Sequence, residues 1–132
     1  MQKLLSLIFC IALFSPDLLW AQSGVKYEDR VMQNAATSAV NGNTVTVNRS
    51  NTIRLDVQIT GTAAVDFQIS GPLAAAWYSK LCTASDSSTP VSGTSASGTF
   101  YCSVAGGQAF RTPITSYTSG SVTVLARATT AF

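Results

Sequence analysis

The chain has 132 residues, of which 46% are hydrophobic and only 11% are charged, and its formal net charge is +2. This length allows one domain, and the apolar content is too high for a disordered chain. A nearly neutral chain without a basic run is not expected to bind nucleic acid. The absence of histidine removes the commonest general base and metal ligand.

The first residues have the layout of a secretory signal peptide. A lysine near the start is followed by an apolar run over Leu4–Phe14, then by Pro16 and by small residues that end at Ala21 or Ser23. The run is shorter than the about 20 apolar residues of a membrane helix. We therefore predict a leader over residues 1–23, cleavage after Ala21 or Ser23, and no stable membrane span afterwards. An uncleaved anchor is the alternative.

Loss of the leader removes Cys10 and leaves Cys82 and Cys102. An even number of cysteines in an exported chain indicates a disulfide. Closing this loop would stabilise the fold by roughly 3 kcal/mol in the chain-entropy treatment. Two buried free thiols are the alternative, since the spacing excludes a redox Cys-x-x-Cys motif and no further metal ligands cluster nearby.

The stretch after the leader carries the most charge. Between Gly24 and Gln33 the sequence has no clear period. We interpret residues 24–40 as an N-terminal arm with a short turn of helix. The arm belongs to one domain over residues 24–132.

Beyond the arm, apolar and polar residues alternate with a period of two, which is typical of half-buried strands. Turn residues separate these runs about every 8 to 12 positions. This spacing predicts an all-β fold, a single β-sandwich of the Ig-like or jelly-roll-like kind with roughly seven to eight short antiparallel strands. The alternating apolar positions are Val45, Val47, Ile53, Leu55, Val57, Ile59, Val65, Phe67, Ile69, Val122 and Val124.

The alternation is compatible with two hairpins. A loop over Thr60–Thr62 pairs Val57 with Val65 and places apolar side chains opposite apolar ones. A second loop over Thr118–Gly120 has glycine at its third position, where a three-residue hairpin needs a left-handed residue. We predict both turns.

Residues 83–99 are dominated by serine and threonine, and Cys82 and Cys102 bracket them. This composition predicts a long surface loop that a disulfide would fasten at its base. A binding loop and a tolerated insertion are both compatible with the pattern.

The first hairpin would place Asp56 opposite Asp66 on the outer face. Two carboxylates so close repel each other and are a candidate weak cation site or acid–base pair. Arg54, diagonal to Asp66, would relieve the repulsion, and a solvated face with a weak ion pair is the favoured alternative. No loop supplies the about six to eight oxygens of a calcium site, so neither a metal nor a cofactor is predicted.

Four aromatic residues are candidates for ligand binding. Trp77 and Tyr78 are consecutive on one predicted strand and therefore point to opposite faces. The one that faces solvent, together with Tyr101 and Tyr117, would offer a flat surface to a sugar ring or a partner protein. Packing within the fold is the alternative.

The remaining motifs predict no catalysis and one modification site. No arrangement for an activated nucleophile or a phosphate cradle occurs in the sequence, so no catalytic residue is predicted. Asn48 begins the sequon Asn48-Arg49-Ser50 and is a candidate glycosylation site.

The order of motifs between Phe67 and Ala128 resembles that of small β-sandwich modules of tailed-phage structural proteins and related exported proteins of unknown function. The leader and the cysteine pair depart from the phage pattern. The resemblance implies a structural or surface-binding module and carries over no catalytic residues. The motifs are Phe67-Gln68-Ile69-Ser70-Gly71, Trp77-Tyr78, Gly98-Thr99-Phe100-Tyr101, Phe110-Arg111 and Tyr117-Thr118-Ser119-Gly120.

These observations together predict a non-enzymatic exported structural or interaction protein, secreted or at the periplasmic or extracellular surface. Its expected partners are copies of itself or other surface proteins, as in an extracellular filament or a virion-like assembly. The alternative is a carbohydrate-binding or adhesin module that uses exposed aromatic side chains and the loop over residues 83–99. A small hydrolase using Asp56 and Asp66 is a third hypothesis.

Overall fold

The computed structural model describes residues 25–47, 50–71 and 76–131, and this part of the chain is an all-β sandwich. The described residues hold eleven strands, and they hold no helix of the length and hydropathy that a membrane crossing requires. The strands are β1 Val25–Ala36, β2 Val45–Thr46, β3 Ser50–Asp66, β4 Gln68–Ser70, β5 Trp77–Ser79, β6 Cys82–Ala84, β7 Pro90–Val91, β8 Gly93–Thr94, β9 Gly98–Ser103, β10 Ala109–Arg111 and β11 Ile114–Ala131.

Two antiparallel sheets make up the sandwich. Within the described ranges, the larger sheet has seven strands in the order β1-β11-β3-β9-β6-β7, with β8 paired to β3, and the smaller has four in the order β2-β10-β4-β5. The predicted fold class is confirmed. The strands are more numerous than predicted, and two of them are long, because β3 spans 17 residues and β11 spans 18.

The core lies between the inner faces of the two sheets. Alternation along β3 buries Ile53, Leu55 and Val57, as their period of two predicts. The ring of Phe67 packs 5.1 Å from that of Phe100. Full burial of each such apolar side chain stabilises the fold by roughly 1.5–3 kcal/mol, so these residues fix which face of each long strand points inward.

Neither predicted hairpin exists. Strand β3 continues through Thr60–Thr62, strand β11 continues through Thr118–Gly120, and the two strands pair with each other so that Gly61 faces Gly120. Both glycines have positive φ, 85° and 86° respectively. A Cβ on Gly120 would collide with the carbonyl oxygen of Thr60. The turn-like composition therefore marks a close backbone approach inside a long ladder.

The predicted N-terminal arm is strand β1, and no helical turn forms there. It pairs antiparallel with β11, starting from Val25 opposite Ala131. The ladder is irregular between Val31 and Gln33 and again beyond Gln33. Bulges of this kind add an unpaired residue and shift the alternation, which is why this strand has no clear period in the sequence.

Residues 83–99 contain short strands where the sequence predicts a long surface loop. Cys82 and Cys102 are cross-strand partners of β6 and β9 with Cα atoms 4.4 Å apart, and the predicted disulfide joins them. The chain then returns through β7 and β8, and β8 pairs with β3 at Val65 and Asp66. The segment therefore contributes strands to the large sheet.

Candidate functional site

The outer side of the large sheet carries the main cluster of exposed side chains. Because β1, β11, β3, β9 and β6 are in register, residues on this side form rows that run across the strands. We call the two central rows the outer face. One row consists of Asp29, Arg127, Arg54, Tyr101 and Thr83, and the next consists of Val31, Leu125, Asp56 and Thr99.

Two ion pairs hold the charges of the outer face. The Nε and Nη2 atoms of Arg127 donate to the two carboxylate oxygens of Asp29 at 2.6 and 2.9 Å. This hydrogen bonding holds the pKa of Asp29 below its ordinary value. Arg54 binds Asp56 at 3.1 Å, and the Thr99 hydroxyl donates to the same carboxylate oxygen at 2.8 Å. The two carboxylates are thus fixed as partners of arginine.

Apolar side chains lie between these ion pairs. Val31 and Leu125 are direct cross-strand partners and remain 44% and 46% exposed, and Tyr101 is 45% exposed. Val31 and Leu125 border a depression with a volume of about 230 Å³. An apolar centre with a polar rim is typical of protein contact surfaces. The residues lining the depression are Asp29, Arg30, Val31, Arg54, Asp56, Leu125, Ala126 and Arg127.

The predicted pairing of Asp56 with Asp66 is wrong. Asp56 lies opposite Leu125 and Thr99, whereas Asp66 lies opposite Gly93 at the far end of β3. The pairing fails because it depended on the hairpin that does not form. The candidate cation site and the acid–base pair therefore lose their geometric basis, and Arg54 contacts Asp56 instead of bridging two carboxylates.

The four candidate aromatic residues do not form one surface. Tyr101 belongs to the outer face, whereas Trp77 and Tyr78 lie on β5, the last strand of the small sheet. Tyr117 packs partly against the core and its hydroxyl donates to the Gly120 carbonyl at 2.7 Å. The predicted opposite orientation of Trp77 and Tyr78 follows from their consecutive places on β5.

Trp77 has a partner that the sequence did not suggest. The guanidinium of Arg111 lies 4.2 Å from the centre of the Trp77 ring. Its Nε atom donates to the side-chain oxygen of Gln68 at 2.8 Å. These residues come from three strands, and the register of β10, β4 and β5 brings them together. No spacing in the sequence indicates that register.

Two predictions lie outside the described residues. They are the leader over residues 1–23 and the glycosylation site at Asn48.

The strands described above define a two-sheet antiparallel β-sandwich. No protein-family model and no curated protein sequence matches the chain. The structure of the SPBc2 prophage-derived protein YomS aligns with a TM-score of 0.74 at 16% identity, covering 82% of this chain and 96% of that protein.

A second similar structure is the PBSX exported protein XepA, with a TM-score of 0.77 at 21% identity. The alignment covers 81% of this chain and 39% of XepA, so the chain spans about two fifths of XepA. The resemblance to phage-related exported proteins predicted from the sequence is therefore confirmed as a similarity of fold.

Proposed function

We propose that this protein is an exported interaction protein without enzymatic activity, and that it associates with a second copy of itself through the outer face. In this proposal it is a subunit of an extracellular or virion-associated assembly. The observation that carries the proposal is the exposed pair of Val31 and Leu125 at the centre of the outer face. Clustered large apolar side chains on a surface commonly mark a protein contact.

The charges of the outer face support a second copy as the occupant. The face presents two arginines, Arg54 and Arg127, and two carboxylates, Asp29 and Asp56. A contact between two identical patches must be self-complementary, and a patch that carries charges of both signs can place arginines of one copy against carboxylates of the other. Pairing of each carboxylate with an arginine also argues against a role for either as a catalytic acid or base.

Export is supported by two observations. The disulfide between Cys82 and Cys102 is of a kind that persists in oxidising compartments. XepA, a protein of the same fold, is an exported protein. Both observations support the proposal that the protein is secreted or lies at the periplasmic or extracellular surface, which its leader-like start also predicts.

Sedimentation equilibrium at micromolar concentration tests the self-association. We expect the wild-type chain to form dimers or larger species. A Val31→Thr, Leu125→Gln double variant should weaken association about tenfold, because it removes the apolar centre but changes no charge. The control is Val40→Thr, since Val40 is 42% exposed and lies between β1 and β2.

The outcomes separate the hypotheses. Weakened association in the double variant and unchanged association in Val40→Thr support the proposal. A wild-type chain that stays monomeric across salt and pH contradicts self-association. The partner of the outer face would then be a different surface protein. Equal association of the wild type and the double variant places the contact elsewhere.

A carbohydrate-binding module is the second candidate function. The observation that favours it is the indole of Trp77 beside Arg111 on the small sheet, since flat aromatic rings next to polar groups suit sugar rings. Tyr101 takes no part in this version because it lies on the large sheet. The segment over residues 83–99 is also displaced from it, because its strands pair within the large sheet.

A further inference from the structure

The outward side of the small sheet carries a compact group of polar side chains. Arg111, Gln68 and Ser79 are successive cross-strand partners on β10, β4 and β5. Trp77 precedes Ser79 by two positions on β5, so it lies on the same side. The neighbouring row, which contains the fully buried Phe110, faces the core instead. These four side chains therefore share one side of the small sheet, where Ser79 is exposed and the other three are partly buried.

Arg111 is oriented but not neutralised by its described neighbours. The Trp77 ring packs against its guanidinium, and Gln68 accepts the hydrogen bond from its Nε atom. Among the described residues, no carboxylate binds Arg111 and no acceptor lies within hydrogen-bond distance of its Nη1 or Nη2 atom. This half-buried cation thus presents the two terminal nitrogens that commonly bind a carboxylate in a bidentate manner.

We propose that Arg111, Gln68, Ser79 and Trp77 form a binding site for an acidic sugar of the uronic acid class. Arg111 binds the sugar carboxylate through its terminal nitrogens. The Gln68 amide and the exposed Ser79 hydroxyl bind ring hydroxyl groups, and the indole of Trp77 contacts an apolar side of the ring. The inference rests on the carbohydrate-binding candidate and is independent of self-association.

The surroundings of Arg111 favour a sugar over an acidic peptide. An uncharged amide and a hydroxyl flank the guanidinium, so the site offers one positive charge among neutral hydrogen-bonding groups. A uronic acid carries one carboxylate among several hydroxyl groups, which is the complementary pattern. A run of acidic side chains needs several cations instead. Arg111 is the single cation among the four residues of the proposed site.

Tryptophan fluorescence gives a direct readout of the site. The chain has two tryptophans. Trp20 lies in the predicted leader, so Trp77 is the sole indole of the processed protein, and Trp20→Phe makes it the sole indole of an unprocessed chain as well. We would titrate this protein with tetragalacturonate, with the neutral galactose tetramer and with a hexaglutamate peptide. We expect saturable changes in emission with tetragalacturonate, weakened by added salt.

Three variants test the assignment of residues. Arg111→Gln should weaken tetragalacturonate binding about tenfold or more, because charge-assisted bidentate hydrogen bonds are roughly twice as strong as neutral ones. Arg111→Lys should recover part of that loss, since it keeps the charge but not the planar fork. Lys26→Gln, on β1 of the large sheet and outside the outer face, also removes one positive charge; it is the matched control and should bind as the parent does.

Each outcome decides the proposal. No saturable signal with tetragalacturonate, or equal binding by the parent and Arg111→Gln, overturns it. Binding of the neutral tetramer with the same affinity overturns the acidic specificity but leaves a carbohydrate-binding module. Preference for hexaglutamate overturns the sugar assignment and points to an acidic protein segment. Self-association of Arg111→Gln, measured by sedimentation, should equal that of the parent in every case.

Discussion

At the scale of single residues, two glycines decide how the long strands fit together. Gly61 and Gly120 face each other in the ladder between β3 and β11, and both have positive φ. Only a residue without Cβ adopts this backbone conformation without steric cost. A side chain at either position would also meet backbone atoms of the opposing strand. The positive φ and the close approach of the opposing backbone are thus two independent reasons why these positions require glycine.

Comparison of two alanine variants separates these effects. Gly106 has a φ of 81°, and a Cβ at this position would meet no atom within 4 Å. A Cβ on Gly120, in contrast, would collide with the Thr60 carbonyl. We expect Gly106→Ala to lower the free energy of unfolding by about 1 kcal/mol, the cost of left-handed backbone alone. Gly120→Ala should lower it by about 3 kcal/mol or more, because the paired strands must also move apart. Urea unfolding measures both, and equal losses would show that close approach is unimportant.

At the scale of elements, the sequence predicts which side of a strand is buried better than it predicts the strand's partner. The inward positions of Leu55 and Val57 follow from alternation and are buried. Their proposed partners were wrong because a hairpin and a long-range ladder can bury the same side of β3. The choice depends on contacts between distant segments, such as Val57 with Val124, and a local pattern contains no information about them.

The same limit applies to the candidate sites. The sequence identified Trp77 as a candidate because an aromatic residue is conspicuous, but it did not identify Arg111 or Gln68. Their association depends on the pairing of β10 with β4 and of β4 with β5. The outer face was missed in part for a similar reason, since Asp29 and Arg127 meet only because β1 pairs with β11.

The disulfide is the covalent link between two elements, and its contribution to stability is measurable. Cys82 and Cys102 are separated by 20 positions and join β6 to β9. Replacing both with alanine should lower the free energy of unfolding by about 3 kcal/mol, chiefly through the greater entropy of the unfolded chain. Denaturant unfolding with and without a reductant checks this. Reductant should destabilise the wild type and leave the double variant unchanged, and an effect on both would contradict the assignment.

At the scale of the whole molecule, the two proposed surfaces lie on different sheets. The outer face belongs to the large sheet, and the site around Arg111 belongs to the small one. Each faces away from the shared core, so contact between copies through the large sheet leaves the small sheet accessible. An assembly of such subunits would present several acidic-sugar sites together, and linked sites bind a polymer more tightly than single sites bind a fragment.

This arrangement predicts avidity that depends on the outer face. Wild-type protein should bind long polygalacturonate about a hundredfold more tightly than tetragalacturonate, because several sites engage one polymer. The Val31→Thr, Leu125→Gln variant should lose that gain and keep its affinity for the tetramer, since its changes lie on the opposite sheet and distant sites act additively. Titration of the protein in solution with each ligand, followed by Trp77 fluorescence in the Trp20→Phe background, measures the two affinities. Loss of tetramer binding in the double variant would show that the surfaces are coupled, and retention of the full polymer gain would show that assembly does not use the outer face.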